Sequence, residues 1–96
     1  MKVYISLPIT GQEIAARAKA VWVKRMLAAS GHEPVSPFEV EAGKNPTNLE
    51  YLLADLRVIS GCDAVYLCDG WQFSRGCRIE AFWAKEFNKQ IMYENK

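Results

Sequence analysis

The sequence predicts an α/β fold in three layers, with a parallel sheet of about four strands and helices on both faces. Short runs of β-forming residues alternate with longer segments of helical spacing, in the order β-α-β-α-β-α-β. Strands that are separated by helices in this way run parallel, and their crossovers are right-handed. The length of 96 residues allows one hydrophobic core, so residues 1–96 are expected to form a single domain.

The N-terminal half begins with a predicted buried strand. The run "KVYIS" at 2–6 consists mainly of β-forming residues and is stopped by Pro8. A helix follows in "GQEIAARAKAVWVKRMLAAS" and ends at Gly31, and a brief strand, "EPVS", occupies 33–36. The apolar residues that give the helical spacing are Ile14, Ala18, Val21, Trp22, Met26 and Leu27.

The C-terminal half repeats the alternation. Thr47 and Glu50 match a capping box, which predicts a second helix through about Ser60. The run "DAVYLC" at 63–68 is the third strand, the loop "DGWQFSRG" precedes a third helix, and "QIMY" at 90–93 is the last strand. The predicted apolar stripe of the third helix consists of Ile79, Trp83, Ala84 and Phe87.

Composition argues against several classes of protein. Twelve Lys and Arg against 11 Asp and Glu give a formal net charge of +1, and the scattered signs show no nucleic-acid footprint. Cys62, Cys68 and Cys77 lack C-x-x-C spacing and His32 has no ligand-like neighbour, so we expect buried, reduced thiols and no metal. The first apolar run meets polar residues too early for a signal peptide, which predicts a cytoplasmic protein without a membrane partner.

The predicted ligand site lies at the carboxyl ends of the strands, where parallel α/β sheets bind their ligands. Three segments should meet there: "SLPITG" after the first strand, "SPFEV" after the second and "DGWQFSRG" after the third. The aromatic residues Phe38, Trp71 and Phe73 could sandwich a flat base, although packing at the rim of the sheet is their simpler use. The first segment adds four candidate substrate-binding residues, Ser6, Pro8, Ile9 and Gly11.

Two acidic residues interrupt the apolar stripes of the helices. Glu80 lies within the stripe of the third helix, and Asp55 lies between Leu52 and Ile59 in the second. Burial of an ionised carboxylate is costly unless it is paired, so each acid alone is explained most simply by a local cap or ion pair. The two together favour a functional site, because carboxyl groups in differently polar settings can divide the roles of nucleophile and acid.

Three further residues extend this candidate site. Ser74 can cap the third helix, and Gly76 leaves backbone N–H groups of the first turn open to an anion such as phosphate. An ordinary cap followed by a glycine for close packing is an equally good interpretation. Tyr4 is either a core residue or a donor to a carboxylate in the cleft. Neither a Walker motif nor G-x-G-x-x-G is present, so a nucleotide would have to be bound in another way.

Several segments together resemble the nucleoside 2-deoxyribosyltransferase superfamily, which includes the 2'-deoxynucleoside 5'-monophosphate N-glycosidases. They are "VYISLPITG", "DLRVISGCDAVYL", and "SRGCRIEA" followed by "AKEFNKQI". The resemblance covers most of the chain and is weakest at 37–48. It implies a flavodoxin-like or Rossmann-like three-layer sandwich, a nucleoside or nucleotide substrate, no cofactor, and a homodimer or larger homo-oligomer with sites near the subunit contacts.

The resemblance also implies roles for individual residues. Glu80 matches the catalytic nucleophile, Asp55 the acid that assists departure of the base, and Tyr4 the residue that orients the nucleophile. Ser74 and Gly76 match the phosphate-binding positions. The implied chemistry cleaves or transfers an N-glycosidic bond through a covalent glycosyl-Glu80 intermediate, which is resolved by water or by a second base.

Two departures from the family pattern leave other functions open. Leu7 stands where a glycine is common, and Thr10 stands where the phosphate hydrolases carry an arginine. The alternative that these departures favour is a non-catalytic nucleotide-binding or sensing module of the same fold. A flavodoxin-like redox protein that holds a flavin phosphate in "SLPITG", and a purely structural partner protein, are further alternatives.

Overall fold

The computed structural model describes residues 1–95 and shows a four-stranded parallel sheet. The elements follow the order β1 (Lys2–Ser6), α1 (Glu13–Ala29), β2 (Glu33–Val35), a 3₁₀ turn (Pro37–Glu39), α2 (Asn48–Ser60), β3 (Ala64–Leu67), a 3₁₀ turn (Trp71–Phe73), α3 (Arg75–Glu86) and β4 (Gln90–Tyr93). The strand order is β2-β1-β3-β4, and every neighbouring pair is parallel. The predicted three-layer α/β fold is therefore confirmed, and the strand order reverses beside β1 and β3.

The alternation of side chains along β1 divides the core into two layers. Val3 and Ile5 pack with the buried face of α1, whereas Tyr4 packs with residues of α2 and α3 on the opposite side of the sheet. Because successive strand residues point to opposite faces, Ser6 lies on the same side as Tyr4. The two hydroxyl groups of β1 are thus directed at the layer that contains the two acidic residues.

The helix starts follow the predicted caps. In α2 the hydroxyl oxygen Oγ1 of Thr47 accepts the N–H of Glu50 at 3.1 Å, and the Glu50 carboxylate accepts the N–H of Thr47 at 2.8 Å. In α3 the hydroxyl oxygen of Ser74 accepts the N–H of Cys77 at 3.3 Å. Each bond satisfies a backbone donor that would otherwise have no partner inside its helix. The helix begins at Arg75, so Gly76 lies in its first turn.

Only some of the apolar residues that give α1 its helical spacing face the core. Ile14, Val21 and Trp22 are 89%, 51% and 58% exposed, and no residue of the described chain covers them. The helix instead buries a face of small and medium side chains, which are Ala16, Ala20, Val23 and Leu27. That face meets bulky strand residues such as Ile5 and Tyr66, so small side chains allow the closer approach of helix and sheet.

The predicted stripe of α3 is also shifted. Phe87 follows the end of the helix and is 56% exposed, and its ring lies 4.5 Å from the half-buried ring of Trp83. The side chains that α3 buries are Cys77, Glu80, Ala81 and Ala84. Two of the four are alanines, which allow α3 to approach the sheet closely. Glu80 therefore lies at the centre of the buried face.

Three further observations bear on function. The three cysteines are buried and free of disulfides, as expected for reduced thiols. Within residues 1–95 no group of His, Cys, Asp and Glu side chains is placed to hold a metal ion. In the same range no helix is both long enough and apolar enough to cross a membrane.

Candidate functional site

Glu80 is a buried carboxyl group whose two oxygens both accept hydrogen bonds from β1. The Tyr4 hydroxyl donates to Oε2 at 3.1 Å, and the Ser6 hydroxyl donates to Oε1 at 2.6 Å. The side chain is 5% exposed, and no Lys, Arg or His in the described part of the chain forms an ion pair with it. Glu80 is thus held by the hydroxyl donors of β1, which favour its charged form without neutralising it.

Asp55 adds a second carboxyl group from α2, which packs against α3. Burial raises the pKa of Asp55 to about 6. Hydrogen bonding of Asp55 with Glu80 and Tyr4 lowers this pKa, but by less than burial raises it. Burial likewise raises the pKa of Glu80 to about 8; the Ser6 hydrogen bond lowers it, and the negative charge of Asp55 raises it further. Burial and these two carboxylates keep the pKa of Tyr4 well above its usual range, so Tyr4 remains a donor.

The two carboxyl groups titrate as a coupled pair. Between about pH 6 and about pH 8 the pair holds one proton, which either group can carry. Burial favours the proton on Glu80, whereas the donors Ser6 and Tyr4 favour an ionised Glu80 and hence a protonated Asp55. A carboxylate and a carboxylic acid side by side can perform nucleophilic and general-acid chemistry within one site.

The structure places the remaining predicted residues near the start of α3 and in the loop after β1. Gly76 lies one turn before Glu80 on α3, and a Cβ built at Gly76 meets no atom within 4 Å. Ser74 is half-buried at the start of the same helix. Pro8 lies in the loop after β1, beside Gly70. A Cβ atom added at Gly70 would lie 3.5 Å from the ring of Pro8. The space next to Gly76, one turn from Glu80 along α3, is therefore not filled by protein.

Two predicted residues of the β1 to α1 loop lie farther from the pair. Ile9 packs against the core cluster of α1, and Gly11 is exposed with a φ of +80°, a backbone conformation that suits glycine. A cavity of about 220 Å³ opens on this α1 side, next to Leu7, Gln12 and Lys19. Because Glu80 lies on the other side of the sheet, that cavity is separate from the carboxyl pair.

Of the two uses that the sequence leaves open for the loop aromatics, Phe38 and Trp71 show packing at the rim of the sheet. Phe38 packs on the α1 side of the sheet, with the guanidinium carbon of Arg17 4.4 Å from its ring centroid. Trp71 packs on the opposite side, and its ring centroid lies 6.1 Å from that of Tyr93. The two rings therefore pack at the rim on opposite faces of the sheet, while Phe73 is 90% exposed.

Sequence reasoning missed the contact between Ser6 and Glu80. It placed Ser6 among residues that touch a substrate, whereas the structure buries its hydroxyl completely against the carboxylate. The period of two along β1 could have revealed the contact, because it places Ser6 on the same face as Tyr4. The neighbouring thiol of Cys77, three residues before Glu80, was assigned only to the core.

The fold has a counterpart among solved structures. A structure described as "2-desoxiribosyltransferase from Leishmania mexicana" matches 96% of this chain with a TM-score of 0.74 and 16% sequence identity. The chain spans 62% of the length of that structure. At this level of identity the likeness shows a shared fold.

Sequence comparison gives the family. No curated protein matches the sequence significantly. The profile of one family, described as "Domain of unknown function (DUF4406)", matches residues 1–93, which is nearly the whole chain. The protein therefore belongs to the DUF4406 family.

Proposed function

We propose that this protein cleaves or transfers the N-glycosidic bond of a nucleoside or nucleoside 5'-monophosphate. The observation that carries the proposal is the buried carboxyl group of Glu80, which accepts hydroxyl donors on both oxygens and is coupled to Asp55. The pair lies beside β1 and β3, where the strand order reverses and where sheets of this kind bind ligands. The shared fold with a structure named as a 2-desoxiribosyltransferase supports a glycosyl substrate.

The proposed reaction proceeds in two displacements. The Glu80 carboxylate attacks the anomeric carbon, and the bond between that carbon and the base nitrogen breaks as Asp55 gives its proton to the departing base. This step leaves an ester between the sugar and Glu80. In the second step Asp55 takes a proton from water, whose oxygen attacks the anomeric carbon and releases Glu80. A second free base in place of water would complete a transfer. Retaining glycosidases use the same logic, with carboxyl groups ~5 Å apart.

The site predicts a bell-shaped dependence of kcat/KM on pH. The reaction needs one proton on the pair, and this state exists between about pH 6 and about pH 8. Below this window Glu80 is protonated and cannot attack, and above it Asp55 has no proton for the base. Initial rates of base release measured across the pH range should therefore fall on both sides of a maximum near neutrality. A kcat/KM that stays constant below about pH 6 and above about pH 8 would contradict the shared-proton mechanism.

The Asp55→Asn variant should release unactivated bases about a hundredfold more slowly, because general acid catalysis typically contributes at least that factor. A 7-methylpurine nucleoside already carries a positive charge on its base, so its release should change little. Asp63→Asn is the matched control, since Asp63 accepts the backbone N–H of Lys2 at 2.8 Å at the opposite end of the sheet. Equal slowing of both substrates would argue against an acid role for Asp55.

The direct test is base release, followed by chromatography, from deoxynucleosides, ribonucleosides and their 5'-monophosphates. A second free base in half of the reactions separates transfer from hydrolysis. A preference for monophosphates would assign the phosphate to the α3 start at Ser74 and Gly76. No release from any substrate, together with thermal stabilisation by one of them, would favour the binding or sensing module. A homo-oligomeric state and a cytoplasmic location belong to the same proposal.

A further inference from the structure

Ser6 holds one oxygen of Glu80 more closely than Tyr4 holds the other. Its hydroxyl lies 2.6 Å from Oε1, compared with 3.1 Å between the Tyr4 hydroxyl and Oε2. Ser6 is the last residue of β1 and is 0% exposed. A serine hydroxyl carries one proton, so a hydroxyl that donates it to Glu80 has no second proton for a substrate.

The Cys77 thiol is a second buried group near Ser6. This thiol is 2% exposed, and it lies three residues before Glu80 on the buried face of α3. Burial raises the pKa of Cys77, while its hydrogen bonding with Ser6 and Ser74 acts in the opposite direction. A protonated thiol can donate to the Ser6 oxygen, which then donates its own proton to Glu80. Ser6 is 0% exposed, so protein atoms enclose it and no substrate reaches its hydroxyl.

The Tyr4 side of Glu80 is different. The negative charges of Glu80 and Asp55 both raise the pKa of Tyr4, so the Tyr4 hydroxyl, which donates to Oε2, lies near both carboxyl groups. Asp55 is only partly buried, which makes this the side that a substrate can reach. The longer bond to Oε2 is also the weaker one, so less hydrogen-bond energy is lost when Oε2 attacks carbon.

We propose that Ser6 is a positioning residue, which fixes Oε1 of Glu80 and thereby directs Oε2 toward the anomeric carbon. The inference rests on the proposed function, because it assigns the attacking atom of that reaction. Ser6 acts through Glu80 and does not contact the substrate. Holding a nucleophile within a small range of positions contributes to the rate because the reacting atoms start close to their attack geometry.

The test compares Ser6→Ala with wild type in kinetics and in a carboxyl titration by carbon NMR of Glu-labelled protein. Without the donor, the ionised form of Glu80 is less stable, so its titration should move upward by about one to two pH units. The kcat at neutral pH should fall at least about tenfold, with KM nearly unchanged. The alkaline limb of kcat/KM should move in the same direction as the titration.

Two variants serve as controls. Ser36→Ala removes another buried serine hydroxyl, which accepts the N–H of Phe38 at 3.2 Å and does not touch Glu80. This variant should leave the titration and kcat unchanged. Ser6→Thr retains a hydroxyl group and should restore the titration of Glu80 at least in part.

The outcomes separate this inference from the proposed function. An unchanged carboxyl titration in Ser6→Ala, or a rise in KM at constant kcat, would overturn the positioning role and assign Ser6 to the substrate. If wild type releases no base from any nucleoside, the proposed function fails and the attacking-atom assignment fails with it. In that case the titration still reports whether Ser6 controls the charge of Glu80.

Discussion

The Glu80→Gln variant should release base at least about a thousandfold more slowly than wild type, because an amide cannot form the glycosyl ester. Glutamine has the shape of glutamate, and its amide oxygen can accept the Ser6 hydroxyl while its nitrogen donates to the oxygen of Tyr4. The site geometry should therefore be kept while the nucleophile is lost. The measurement is base release under single-turnover conditions, so that a small contaminating activity is recognised.

The same experiment can detect the intermediate. Wild type quenched during turnover should show, by mass spectrometry, a glycosyl adduct on the peptide that contains Glu80, and Glu80→Gln should show none. Glu86→Gln is the matched control, since Glu86 is exposed at the last residue of α3. Undiminished release by Glu80→Gln would exclude Glu80 as the nucleophile, whatever happens in the control.

Local signals in the sequence were sufficient for the order of elements. The first strand lies at Lys2–Ser6 as predicted, because β-forming residues and Pro8 mark its two ends. The start of α2 follows from the capping box of Thr47 and Glu50. The two acidic residues stood out because they break an apolar pattern, and such a break is visible without knowledge of the fold.

Such local signals could not predict contacts between residues that are far apart in the sequence. Helix α1 has apolar residues on two faces, and only the shape of the sheet decides that the face with Ala16 is buried. The side on which Phe38 packs depends on the 3₁₀ turn after Ser36, whose capping box was not anticipated. The contact between Ser6 and Glu80 joins residues 74 positions apart and depends on the depth of α3 against β1.

A second large effect concerns stability: the free energy of unfolding should fall as pH rises from about 5 to about 8. The pKa of Glu80 is raised from 4.5 to about 8 in the folded protein, mainly by burial. In this window the folded pair of Glu80 and Asp55 keeps a proton that the unfolded chain has released, whichever of the two groups carries it, so each increase in pH favours unfolding. Above about pH 8 both states are ionised and this contribution levels off.

The expected loss for Glu80 is on the order of 3 to 5 kcal/mol, because one pKa unit corresponds to about 1.4 kcal/mol. Asp55, whose raised pKa is about 6, adds to the loss in the lower part of the window. Glu39 does not interfere: its hydrogen bond with Lys24 lowers its pKa, and its effect on stability is confined to more acidic solutions. Urea denaturation of wild type at several values between about pH 5 and about pH 8 measures the effect.

Glu80→Gln separates a structural role of Glu80 from a chemical one. The amide has no charge to bury, so the variant should lack most of the pH dependence and should be more stable than wild type at about pH 8. A carboxyl group that stabilises the fold would give the opposite result, with the variant less stable at both ends of the window. Loss of base release together with a gain in stability at about pH 8 would mean that Glu80 opposes folding and serves the reaction.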